Sequence, residues 1–168
     1  MSLIDSTYFT LDTNIPDSDF SNLTEHITRY EKEILIKLFG YELYLLVAAY
    51  VNPGSTQAII DLVEGVEYTV SGVLKKWNGL VNSDKKSLIS YYVYYWWVRN
   101  HSASLNDTGV MQLHSENATP AKQTYKMVTA WREMFELYYD CIDFLNENSD
   151  DYPAWVVSEI ENLNQFDI

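Results

Sequence analysis

The chain has 168 residues, 47% of them hydrophobic and 15% aromatic, enough for one domain with a real core. Its formal net charge of −13 argues against direct binding of DNA or of an anionic membrane, because a phosphate surface repels it. Cys141 is the only cysteine, which excludes an intrachain disulfide or a thiolate zinc site and suits a reducing cytosol.

The charge is uneven along the chain. All 11 basic residues lie between Arg29 and Arg132, whereas five acids fall in residues 1–28 and ten in residues 133–168. A near-neutral body therefore carries two acidic ends. The opening MSLIDSTYFT lacks a basic start followed by an apolar run, so no secretory leader is expected. The longest apolar stretches, 43–51 and 88–98, are too short to cross a bilayer, so no membrane contact is expected.

In chain order, residues 1–17 alternate loosely, contain Pro16 and read as an extended arm. The main domain spans 18–148. Its first helix starts with Ser18 or Ser21 as N-cap. Leu23, Ile27, Tyr30, Ile34 and Leu38 follow at helical spacing, and Gly40 suits the C-terminal cap. A second helix over 41–51 stops at Asn52-Pro53-Gly54, and a third runs from Ser55 to about Glu64. Val66, Tyr68 and Val70 then alternate with polar residues, Ser71-Gly72 turns the chain, and 73–77 returns, so a β-hairpin is predicted near 66–77.

Ser83 caps a fourth helix predicted to run to about 102–105. Its residues 91–97 read YYVYYWW. A helix with one buried stripe needs bulky residues only every third or fourth position, and this one carries them all the way round. Tyr91, Tyr92, Tyr94, Tyr95, Trp96 and Trp97 are thus expected to be covered on more than one side, by the domain itself and by another subunit. Residues 106–118 read either as a second strand pair or as a mobile excursion. Thr119-Pro120 signals the start of a fifth helix. There, Val128, Trp131, Phe135, Tyr138, Ile142 and Leu145 form a heptad-spaced seam widened by Met127, Met134 and Cys141. Residues 149–168 form an acidic tail with a short docked helix. The expected fold is mainly α, a compact bundle of about five helices with a small hairpin.

Motifs for chemistry are missing. No histidine follows a glutamate at the spacing of a di-iron or zinc-protease site. Residues 146–151 imitate the start of a calcium loop, but Asp151 stands where glycine is needed and Val157 where the closing glutamate is needed. There is neither a phosphate-cradling glycine loop nor a nucleophile elbow. No catalytic residue, cofactor or metal is assigned, and the chain reads as a non-enzyme. Lys75-Lys76 and Lys85-Lys86 are the only basic pairs. A solvated lysine face is their plainer reading, and contact with the acidic ends of a neighbouring copy is the functional one.

Tyr30-Glu31, Leu38-Phe39-Gly40-Tyr41-Glu42-Leu43, Gly65 to Tyr68, Gly72, Lys76-Trp77-Asn78-Gly79-Leu80, the tyrosine-rich helix and Thr129-Ala130-Trp131 together resemble small bacteriophage neck proteins. These are head–tail connector or head-completion adaptors of phages and prophages of Bacteroidetes, and the resemblance covers roughly residues 25–140. It implies a mainly helical subunit forming a homo-oligomeric ring under the portal. Such a ring extends the DNA channel without specific nucleic-acid contact and docks tail or neck proteins. It places the chain in the virion neck, after assembly from the host cytoplasm. The competing reading is a cytoplasmic helical protein-interaction module without enzymatic activity. A small-molecule binder or enzyme with its pocket among Tyr91, Tyr92, Tyr94, Tyr95 and Trp96 is the third.

Overall fold

The computed structural model describes residues 2–15, 20–101, 103–106, 109–112, 123–156 and 160. Two 3-10 turns, Ser6–Tyr8 and Leu11–Thr13, precede α1 (Phe20–Ala48) and α2 (Gln57–Glu64). The hairpin of β1 (Val66–Val70) and β2 (Val73–Trp77) follows, then α3 (Leu88–His101), β3 (Ala103–Asn106), β4 (Gly109–Gln112) and α4 (Gln123–Glu147). The fold is mainly helical with small antiparallel pairs, as expected.

The described residues hold four α-helices where about five were expected. The difference lies at Gly40. The first two predicted helices form one bent element, α1, interrupted where Gly40 takes φ 73° and ψ 170°. That region is open almost only to glycine. The bend frees carbonyls that a straight helix would use, and the C-terminal segment supplies donors. The Trp155 indole Nε1 donates to the Leu38 carbonyl at 3.0 Å, and the Val156 amide donates to that of Phe39 at 3.4 Å. A tail helix was expected within 152–168; residues 157–159 and 161–168 lie outside the described ones. Tyr152, Ala154 and Trp155 pack against the body.

The N-terminal segment is not a free extended arm. Its two turns bury Ile4, Tyr8, Phe9 and Ile15 in the common core. Glu31 on α1 holds it. The Leu3 amide donates to both carboxylate oxygens, at 2.9 and 3.0 Å, and the Ile4 amide donates to one at 3.2 Å. These bonds satisfy a buried carboxylate that would otherwise be costly.

Ser87, not Ser83, caps α3. Its hydroxyl accepts from the Ile89 amide at 3.2 Å and donates to the Leu80 carbonyl at 2.6 Å. Ser83 sits in the preceding turn, which Asn82 closes by accepting from the Lys86 amide and donating to its carbonyl. At its other end α3 stops at His101, and 103–106 pairs with 109–112, so the strand-pair alternative is the one realised. The predicted start signal at Thr119-Pro120 lies outside the described residues.

Along α4, Met134, Cys141 and Leu145 are fully buried and Phe144, Phe135, Met127, Tyr138 and Trp131 nearly so, while Val128 and Ile142 are only half-buried. Four of the six predicted seam positions, Trp131, Phe135, Tyr138 and Leu145, are thus buried together with the three residues expected to widen it.

Candidate functional site

Of the six rings predicted as an interface, four belong to the core and two pack against it. Tyr91, Tyr92, Tyr94 and Tyr95 are buried within the single chain, Tyr92 to 1% exposure, and Trp96 and Trp97 are half-buried and packed on the core. α1 and α4 flank α3, and the turn at Leu11–Thr13 closes a third side. Trp96 stacks on Tyr30 with centroids 5.4 Å apart, and Trp131 lies 4.6 Å from Tyr95. The chain itself covers the four tyrosines and leaves Trp96 and Trp97 half-exposed. Local ring density signals burial but not which chain provides it.

The hydroxyls are also used internally. Tyr92 donates to Glu33 at 2.7 Å and accepts from Lys37 at 3.1 Å, while Lys37 bonds Glu33 directly at 2.7 Å. Burial pushes the Tyr92 phenol up, away from any acid–base role near neutrality. Tyr91 and Tyr94 line a shallow groove of about 410 Å³ with Leu11, Asp12, Tyr125 and Lys126. Among its described lining residues, Asp12 and Lys126 carry the charge. Among the described residues no three His, Cys, Asp or Glu side chains gather as a metal cluster.

The four lysines separate into two kinds. Lys86 bonds Glu133 at 2.9 Å, and Lys85 lies 4.4 Å above the Tyr8 ring, fastening the N-terminal turn. These two have contacts within the protomer, and both side chains remain exposed. Lys75 and Lys76 are exposed on β2, and neither forms an ion pair with a described residue.

The hairpin that carries them is built from its base outward. Its register, Val66↔Trp77 to Val70↔Val73, leaves a two-residue turn at Ser71-Gly72, both at positive φ. Gly65 and Gly79 let two backbones cross at the base: a Cβ on Gly65 would lie 2.5 Å from the Trp77 carbonyl oxygen. The same region completes α2, whose last carbonyls have no partners within the helix. Gly65 N–H donates to Asp61, the Trp77 indole to Leu62 at 2.9 Å, and Val81 N–H to Val63 at 2.8 Å.

Alternation sorts the hairpin's faces. Val66, Tyr68, Lys75 and Trp77 share the face toward α4, where Trp77 stacks on Phe144 at 5.9 Å and Tyr68 meets it edge-on at 5.3 Å. Leu74 and Lys76 lie on the other face. Leu74 is 66% exposed and Val73, at the turn, 62%. Sequence reasoning missed these two, although the adjacent pair Val73-Leu74 already breaks the alternation and must turn one side chain outward.

Beside the hairpin, α4 displays Glu136, Asp140, Asp143 and Glu147, all exposed and spaced for one helical face. Partial burial, then Asp143 and Glu136, push the Asp140 carboxyl up. Burial and the charges of Asp143, Asp140 and Glu147 raise the Tyr68 phenol.

Residues 55–162 match a family of unknown function, DUF6712. The chain belongs to that family. The DUF6712 match takes in the hairpin, α3 and α4, the parts that bury the rings and display the lysines. No curated protein and no solved structure matches the chain.

Proposed function

We propose that this chain is a structural virion subunit of a phage or prophage, a head–tail connector that assembles as a ring under the portal and extends the DNA channel. One observation carries the reading: a two-stranded hairpin, anchored on the core by Trp77 and Tyr68, has both outer edges unpaired among the described residues and exposes Val73, Leu74, Lys75 and Lys76. An unpaired hairpin with apolar tips is a liability unless something covers it. The sequence resemblance to neck adaptors supports the class, and the acidic α4 face supports the partner. In a heterologous ring one patch meets a different patch on the next copy, so basic hairpin against acidic helix is self-propagating. Remaining acidic surface lining the channel repels DNA and lets it slide.

Native mass spectrometry of the chain, alone and with a purified portal, tests this. The expected result is a closed ring or a portal-bound set of several copies. Leu74→Glu and the double change Lys75→Glu, Lys76→Glu should abolish association while leaving the melting temperature unchanged. A chain that stays monomeric under both conditions, or that forms a one-to-one complex with an unrelated protein, would replace the connector with a helical interaction module.

A further inference from the structure

His26, near the start of α1, and His101, the last residue of α3, bring their rings to a centroid separation of 5.5 Å with planes 48° apart. Each ring is tied to its own helix. His26 Nδ1 lies 2.9 Å from the Asn22 carbonyl oxygen, and His101 Nδ1 lies 2.9 Å from that of Trp97. A carbonyl oxygen only accepts, so the tautomer that fits each contact carries a proton on Nδ1, which in a neutral ring leaves the lone pair on Nε2. Neither Nε2 has a hydrogen-bond partner among the described residues. Aromatic neighbours steady both rings: Trp97 stacks on His101 at 4.3 Å, and Tyr30 lies 5.8 Å from His26.

Imidazoles that bind metals commonly donate their second ring nitrogen to a backbone carbonyl, which fixes the tautomer and aims the free nitrogen. Spacing agrees as well. A metal–nitrogen bond of about 2.0–2.1 Å at a tetrahedral angle sets the two ring centres roughly 5 Å apart. We propose that His26 and His101 form a two-imidazole site for a divalent transition metal of the Zn²⁺, Ni²⁺ or Cu²⁺ type. Water completes the coordination, because no further His, Cys, Asp or Glu among the described residues joins the pair. The ion would staple the first turns of α1 to the end of α3. This site stands apart from the connector reading and does not depend on it.

Isothermal titration of the full chain with NiCl2 and with ZnCl2 tests the site. The expected result is one ion per chain, with His26→Gln and His101→Gln each weakening binding at least tenfold. Metal should raise the melting temperature of the wild type and of neither variant. No binding at millimolar metal, or affinity unchanged in either variant, would overturn the site. A variant-free check uses Cu²⁺ broadening of the three histidine Hε1 resonances in the native chain. Selective loss of two supports the pair; uniform loss, or none, overturns it.

Discussion

Replacing Trp77 with phenylalanine isolates what holds the hairpin in place. Phenylalanine keeps a ring against Phe144 but removes the indole N–H that donates to the Leu62 carbonyl at 2.9 Å. That carbonyl belongs to the last turn of α2 and has no intrahelical partner. Trp77 is 2% exposed, so water does not readily replace the donor. Leaving a buried carbonyl unpaired costs about 1–3 kcal/mol. The missing part of the ring system removes about 40 Å² of apolar contact, or about 1 kcal/mol. Together Trp77→Phe should lose about 2–4 kcal/mol, and at about 2–4 °C per kcal/mol for a chain of this size the melting temperature should fall by roughly 4–16 °C. Urea unfolding followed by far-UV circular dichroism measures this without relying on the removed fluorophore. A loss below about 0.5 kcal/mol, the range of ordinary surface changes, would refute the claim that the indole serves as the cap of α2.

Gly40→Ala should cost about 1–3 kcal/mol from the backbone alone, and its Cβ would lie 3.3 Å from that of Val156. Adding Val156→Gly, which removes that Cβ, should recover the contact part but not the backbone part; full recovery in urea midpoints would show that strain is absent. For Glu31, burial pushes the carboxyl above its ordinary value near 4.5 despite the Leu3 and Ile4 amides. The folded chain therefore holds that proton more tightly than the unfolded one. Stability contributed by the group is complete below about pH 4.5 and is lost as pH rises through the raised value. Glu31→Gln should remove that downward slope, so matching stability–pH curves for variant and wild type would count against it. The Cys141 thiol is fully buried and pushed far above its usual range. A thiol reagent such as DTNB should thus react only as fast as the chain opens, and stoichiometric labelling within seconds of mixing under native conditions would contradict this.

Some of this was readable from spacing alone. Leu23, Ile27, Tyr30, Ile34 and Leu38 are all buried on α1 as their period demands. The alternation at 66–70 and the Ser71-Gly72 turn place the hairpin register correctly. These features depend on the pitch of a helix and the pleat of a strand, which neighbouring residues set among themselves. YYVYYWW likewise announces a helix with no solvent face, but not its cover. That cover comes from α1, α4 and a turn near the N-terminus, segments far away in the chain.

The same distance hides the polar partners. Glu31 is matched by amides 28 residues earlier, and the carbonyl of Leu38 by an indole 117 residues later. No local pattern encodes such pairings. By itself the sequence determined which segments are helical or extended, which faces are apolar, and where the chain must turn, because those follow from short-range geometry. Only the tertiary structure decided that the aromatic helix is enclosed by its own chain and that Val73 and Leu74 face solvent. Both depend on which distant surfaces meet once the chain has closed on itself.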